Sequence, residues 1–197
     1  MGSRPVEFSD GRWLNEPPVH RLTPERLEIG CAKGSDLWQH THYGFSHVSG
    51  HALLVDAPAA FVAEIDVAAR FTGKYEQAGL LLWQDDRTWA KFGIEYADGR
   101  PNFAAVVTRG RSDWSMAPAA PDIAGFKLRM TRTDAAIILH YRSRRSWQIL
   151  RVAGFPPGAA EIGPMACSPQ TEGFTAAFAA FTLGPVPEDP LYIGASA

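Results

Sequence analysis

EQAGLLLWQDDRTWAKFGIEY, residues Glu76 to Tyr96, alternates apolar and polar side chains on both flanks of a polar centre, which is the pattern of a β-hairpin. With Asp85-Asp86-Arg87 as the loop, Trp83 pairs with Trp89, Leu81 with Lys91, Gly79 with Gly93 and Gln77 with Glu95. Ala78, Leu80, Leu82, Ala90, Phe92 and Ile94 then share one face, which is a core. The opposite face carries Gln77, Lys91, Glu95 and the two tryptophans around facing glycines. Glycine weakens a strand and packs nothing, so two in register imply that a ligand or another segment approaches closely there. This polar, glycine-dented face is the first candidate site; a solvated sheet face with a Lys–Glu pair is its alternative.

Outward from the hairpin, period-two segments dominate the chain. Phe61, Ala63, Ile65, Val67, Ala69 and Phe71 alternate with Val62, Glu64, Asp66, Ala68 and Arg70, a long strand buried on one side. Further strands are read over 26–30, 51–55, 101–108, 126–131, 135–141, 146–152 and 174–183. Turn signals fall at Ala97-Asp98-Gly99, Arg132-Thr133-Asp134, Ser143-Arg144-Arg145 and Phe155 to Gly158. With no sustained apolar stripe at helical spacing, the fold class is all-β, an antiparallel β-sandwich or jelly roll in which one sheet can curve into a concave face. A length of 197 residues suits a single domain, 1–197, with loosely attached ends at about 1–10 and 186–197.

Composition narrows the function classes. A net charge of −2 with both signs interspersed gives no field to neutralise phosphates, and the short cluster Arg142, Arg144 and Arg145 does not supply one, so nucleic acid is excluded as the main partner. No segment is long and apolar enough to span a bilayer, no secretory signal is read in MGSRPVEFSD, and a cytoplasmic location is the default. The two cysteines, Cys31 and Cys167, read as reduced and structural; Cys167-Ser168-Pro169 has no adjacent base to activate a thiol.

The chemistry-bearing motifs lie outside the core positions. Trp13-Leu14-Asn15-Glu16-Pro17-Pro18 reads as an extended lid over a sheet. Ser35 to Phe45 is too dense in aromatic and imidazole groups for a plain connector. In an extended segment His40 and His42 would share a side, with His47 and His51 nearby, but the closing carboxylate or cysteine of a metal site is absent at ligand spacing; no metal or cofactor is assigned, and His42 beside Tyr43 is read as a polar group of the pocket. Glu64-Ile65-Asp66-Val67 imitates the first half of the Glu-x-Asp-x-x-Glu strand of jelly-roll β-glucanases, yet Ala68 and Ala69 stand where the second glutamate would fall. Retaining glycoside hydrolysis needs two carboxyl groups about 5 Å apart, so the motif is the polar face of a strand. In the hairpin, Glu95 is an acid facing an amide, Gln77, which can bond but cannot act as a nucleophile. Asp113, in Ser112-Asp113-Trp114-Ser115, is the candidate second carboxylate, and Trp114 serves either as a stacking platform or as a cap on the core.

Taken in order, Trp13 to Pro18, Asp36-x-Trp38, Thr41 to Phe45, Gln77 to Leu80, Lys91-x-Gly93-Ile94-Glu95, Val106-Val107-Thr108, Ser112 to Ser115 and Cys167-Ser168-Pro169 resemble the regulation-of-enolase-like family, across almost the whole chain. The resemblance implies a place in the concanavalin A-like lectin and glucanase superfamily, a jelly-roll fold with a ligand lying across its concave sheet, and no established reaction. Its yeast namesake is linked to enolase regulation. Three functions follow as expectations. The first is a binding protein that holds a saccharide or other polar small molecule on Gln77, Lys91, Glu95, Asp113, His42, Tyr43, Trp83, Trp89 and Trp114. The second is a glycosidase or lyase with Glu95 as acid/base and Asp113 or His42 as its partner. The third is an interaction module that forms a homo-oligomer or meets a metabolic enzyme.

Overall fold

The computed structural model describes residues 2–143 and 146–191. Arg144 and Arg145, expected in a turn, and residues 192–197 of the expected loose end lie outside the described residues. In chain order the elements are β1 (Arg4–Pro5), a 3-10 turn at Phe8–Asp10, β2 (Arg12–Leu14), β3 (Val19–Leu22), β4 (Arg26–Gly30), β5 (Leu37–Gln39), β6 (Ser46–Val48), β7 (His51–Ala57), β8 (Phe61–Ala69), β9 (Gln77–Asp85), β10 (Thr88–Ala97), β11 (Arg100–Arg109), β12 (Ser112–Pro118), β13 (Gly125–Arg132), β14 (Ala136–Ser143), β15 (Ser146–Gly154), β16 (Ala160–Cys167) and β17 (Thr175–Gly184). Among the described residues no helix is long and apolar enough to cross a membrane.

Two antiparallel sheets stack face to face. One runs β15-β14-β13-β8-β17-β4-β3, with β1 also on β17; the other runs β12-β11-β10-β9-β16-β7-β2. Consecutive strands alternate between the sheets at β7–β8–β9 and β15–β16–β17, the connections of a β-sandwich. The inward positions of β8 (Phe61, Ala63, Ile65, Val67) meet those of β9 and β10 (Leu80, Leu82, Phe92, Ile94) in one core cluster between the layers. Each large apolar side chain enclosed there contributes about 1.5–3 kcal/mol, which is why the period-two pattern fixes the layers. On the outer face of β8, Glu64 bonds Arg129 and sits near Lys127, the polar strand face expected for that motif.

The hairpin pairs as the alternation requires: Trp83 with Trp89, Leu81 with Lys91, Gly79 with Gly93, Gln77 with Glu95. At its tip Asp85 pairs with Thr88, leaving Asp86-Arg87 as the turn and Gln84 as an extra residue, a bulge one residue earlier than the three-residue loop anticipated. The facing glycines serve each other. A Cβ on Gly79 would overlap the Phe92 carbonyl and lie 2.7 Å from the Gly93 Cα, and one on Gly93 would meet Ala78 and Gly79 in the same way. What approaches closely is the partner strand's own backbone, bringing β9 and β10 together at the middle of the sheet.

Two expectations are corrected. Residues 4–8 are tied down: Arg4 and Pro5 pair with β17, the Val6 N–H donates to Phe181, and Phe8 is buried in the core. Strand β16 was unread, although it lies between β9 and β7, because Gly163 and Pro164 interrupt its apolar run. Pro164 has no N–H to offer, and the β16–β7 pairing skips both residues.

Candidate functional site

The outer face of the β9–β10 hairpin is divided in two. Toward the turn, Leu81, Trp83 and Trp89 join Val106, Met165 and Cys167 in a second apolar cluster, roofed by Leu37 and Trp38 of the β5–β6 hairpin. Toward the open end of the strands, Gln77, Lys91 and Glu95 form a polar floor. The Lys91 ammonium donates to Gln77 Oε1 at 2.6 Å and to Asp36 Oδ1 at 3.3 Å, and Gln77 Nε2 donates to the same oxygen at 3.4 Å. Asp36 is aimed inward because Ser49 and Gly50 both donate their N–H to its carbonyl at 2.9 Å and the Leu37 N–H donates to its Oδ1 at 2.8 Å. Lys91 is 3% exposed. Burial pulls its pKa down, but Asp36 foremost, then Cys167 and Glu95, more than reverse this, so the pKa lies above its ordinary value and the ammonium stays charged. Glu95 is 7% exposed, and its side chain makes no hydrogen bond among the described residues. Burial raises its pKa first, Lys91 pulls it back, Asp36 raises it again, and the result is about 7.

Aromatic walls stand on this floor. Trp114 and Trp38 meet edge to face at 6.4 Å, Trp38 and Tyr43 at 5.9 Å, and Tyr43 stacks on Phe45 at 5.4 Å. The hairpin carrying them is riveted to the sandwich by Asn15 Nδ2, which donates to the carbonyls of Val48 and Gly50, by Gln39 N–H to Ser112 Oγ and by Gln39 Nε2 to the Asp86 carbonyl. The facing wall is the β8–β9 connection. There the buried Glu76 carboxylate accepts from Thr72 N–H, Gly73 N–H and Thr171 Oγ1, fixing a tight loop in which Tyr75 has φ +65°. Tyr75 faces Tyr43 across the gap and is the first of the influences that raise the Tyr43 pKa. The pocket between these walls is half open to solvent and measures about 420 Å³.

The comparisons with known proteins place this architecture. Residues 13–186 match a family described as "Protein of unknown function (DUF1349)". The chain belongs to this family. It is 34% identical over 183 residues to "Regulation of enolase protein 1" of Saccharomyces cerevisiae, covering 92% of each. A crystal structure of a functionally unknown protein from S. cerevisiae, also 34% identical, superposes with a TM-score of 0.88 over 91% of this chain and 98% of that one. The GH43 protein BlXynB of Bacillus licheniformis superposes with a TM-score of 0.66 at 13% identity, over 88% of this chain but 36% of its own, a likeness of fold alone. The family resemblance carried by the sequence motifs is thus shown, and the fold with it.

In this DUF1349 chain the residues expected to share one site separate into groups. Gln77, Lys91, Glu95, Tyr43 and Trp114 line the pocket. Trp83 and Trp89 do not: the roofing hairpin encloses them in the apolar cluster, so they support the floor from the side. Asp113 faces a different hollow together with His42, and its carboxylate accepts from Arg151 at 2.7 Å while remaining 61% exposed. Neither is placed as a partner for Glu95; the second carboxylate beside the floor is Asp36. His40 and His42 have φ of +56° and +61°, so the segment is a turn rather than an extended strand. His51 is engaged elsewhere, accepting from Ala32 N–H and bonding the Asn15 carbonyl. Among the described residues no group of three or more His, Cys, Asp or Glu side chains is placed to hold a metal ion. Burial lifts the Cys167 thiol well above its ordinary pKa, which removes it as a nucleophile.

Sequence reasoning missed Asp36, Phe45, Lys74, Tyr75 and Gln170 as pocket residues. Asp36 and Phe45 lay in the segment singled out for its aromatic density, and Asp36-x-Trp38 was among the family motifs, so the signal existed without an address. Tyr75 and Gln170 come from loops whose meeting depends on the buried Glu76–Thr171 bond, a contact across 95 residues that no local pattern announces. Chemically, this DUF1349 site combines an ion pair with its amide, one unengaged carboxyl group and a wall of rings. That set has the chemistry to complement a polar ligand with an apolar side, and a carboxyl group titrating near neutrality is able to give or take a proton.

Proposed function

We propose that this chain is a cytoplasmic single-domain protein, residues 1–197, that binds a saccharide or another polar small molecule in the pocket over the open end of the β9–β10 hairpin. One observation carries this reading: Glu95, buried and without a hydrogen-bond partner among the described residues, sits beside the Lys91–Gln77–Asp36 network at the base of an aromatic pocket. The carboxylate keeps its contact with solvent only at the pocket, where a ligand can bond it, and the burial of its surroundings makes such a bond stronger than one at an open surface. The rings offer C–H faces a place to stack, and the floor offers donors and acceptors for hydroxyls. Ligand-observed NMR and thermal-shift screens of sugars and polar metabolites test it. A hit whose affinity falls at least about tenfold in Glu95→Gln or Lys91→Ala supports the proposal; a complete panel without a hit, or a hit indifferent to both changes, refutes it.

A second reading, an acid/base enzyme of the glycosidase or lyase type, is favoured by the Glu95 pKa of about 7, with Asp36 as the second carboxylate. It requires product formation that Glu95→Gln abolishes. The yeast relative's name supports a metabolic enzyme as a partner, which co-purification with enolase tests.

A further inference from the structure

We infer that the pocket takes a ligand carrying a cationic nitrogen, an alkylammonium group seated between the Glu95 carboxylate and the aromatic wall. This rests on the proposal that the pocket binds a small molecule, and it names the chemical class.

The charge balance of the floor leads there. Lys91 and Asp36 neutralise each other through a direct contact of 3.3 Å, and Gln77 bonds both, so their charges are spent within the protein. Glu95 remains, nine-tenths enclosed, aimed into the cavity and bonded by nothing among the described residues. A neutral ligand packed over it would remove its remaining water and force it to take up a proton. An anionic ligand would add a like charge beside two carboxylates. A cation compensates the charge directly. The walls agree with the floor: Trp38, Tyr43, Phe45, Tyr75 and Trp114 line the same cavity, and ring faces attract cations through their quadrupoles, most strongly where water is excluded. Tyr75 already carries such a contact, with Lys74 Nζ 4.8 Å from its ring centroid at the rim.

The titratable groups around Glu95 come from several elements. Lys91 lies on its own strand and Asp36 precedes β5; Tyr43 and His47 stand on the hairpin above. Lys74 and Tyr75 belong to the β8–β9 loop, and the Cys167 thiol, held neutral by burial, lies beneath on β16. Among these, Glu95 is the group whose pKa is brought to about 7, and because the His47 imidazole shares the pocket the pH dependence is read in His47→Gln as well as in wild type.

Isothermal titration with two matched pairs tests the inference: choline against its uncharged carbon isostere 3,3-dimethylbutan-1-ol, and glucosamine against glucose. The cationic member is expected to bind at least about tenfold more tightly in one pair or both. Glu95→Gln is expected to bring the members of that pair within about twofold of each other. For choline, whose charge does not titrate, wild-type affinity should rise on the order of 30-fold between about pH 5.5 and about pH 8 as Glu95 ionises, a readout that stands even if the variant fails to fold. Equal affinity within both pairs, a preference for the neutral members, or a choline affinity independent of pH overturns the inference while leaving a neutral-ligand pocket. Absence of binding by all four also overturns it, and only the wider screen of saccharides and metabolites then decides whether the pocket binds a small molecule.

Discussion

Replacing Glu95 by Gln should make the protein more stable, and only above a definite pH. The Glu95 pKa rises from 4.5 to about 7 on folding, chiefly because burial penalises the charged form. Below about pH 4.5 the carboxyl is protonated in both states and wild type and variant should agree within about 0.5 kcal/mol. Between about pH 4.5 and about pH 7 the unfolded chain has released the proton while the folded chain retains it, so wild type loses about 1.4 kcal/mol per pH unit relative to the variant. Above about pH 7 both states are ionised and the gap levels off at roughly 3 kcal/mol in the variant's favour. Urea unfolding of both proteins at a series of pH values from about 4 to about 8.5 measures the difference, in which the remaining titrating groups largely cancel. A flat difference, or one that favours wild type at high pH, refutes the reasoning. It would mean that Glu95 is ionised and compensated in the folded protein, and the cation-binding inference would fall with it.

Lys91→Met removes the buried cation from Asp36 and Gln77 and should cost about 2–4 kcal/mol in urea unfolding; a loss under about 1 kcal/mol would show that the pair's charge is already dispersed. Gly79→Ala drives a Cβ into the backbone of Phe92 and Gly93, where no flexible side chain can give way, so a loss of at least about 3 kcal/mol or insoluble protein is expected. A soluble variant with wild-type unfolding would refute the close approach of β9 and β10. Asp113→Ala breaks an exposed pair with Arg151 and should change stability by less than about 1 kcal/mol, and ligand affinity by less than about twofold. A larger affinity loss by titration would return Asp113 to the site.

The sandwich was legible because its layers are encoded locally. Alternation along 61–69 and 77–97 assigns each side chain to a face, and the turn at Asp86-Arg87 sets the register to within one bulged residue. The floor was legible for the same reason, since Gln77, Lys91 and Glu95 follow from period two once the core face is known. The cover was not. Whether Trp83 and Trp89 face a ligand or a roof depends on where the β5–β6 hairpin lies, and that is fixed by Asn15, Ser112 and Asp86, each distant in sequence from the residue it holds. Asp113 misled because strand pairing brings β12 beside β11, two strands away from the β10 that carries Glu95, and its side chain turns to Arg151 on the other sheet. Strand β16 escaped because Gly163-Pro164 carries the local signature of a turn, while tertiary pairing on both sides overrides it.

An apolar side chain at position 95 would be the stable choice. Val106, opposite Lys91 on β11, already lines the pocket, and Leu81, Met165 and Cys167 extend the same apolar surface, so a leucine at position 95 would add apolar area on the same sheet face toward the β8–β9 loop. The chain holds instead a carboxyl group that costs roughly 3 kcal/mol when ionised. A ligand that binds only the folded, ionised form offsets this cost by mass action, by about 2.7 kcal/mol at a hundredfold excess over its Kd. The two magnitudes nearly coincide. At about pH 8, wild type saturated with a cationic ligand to that degree should therefore unfold close to the urea midpoint of the ligand-free Glu95→Gln variant, and the same ligand should move the variant itself little. If the ligand stabilises both proteins equally, Glu95 is a bystander, and the free energy stored in its burial has some other use than recognition.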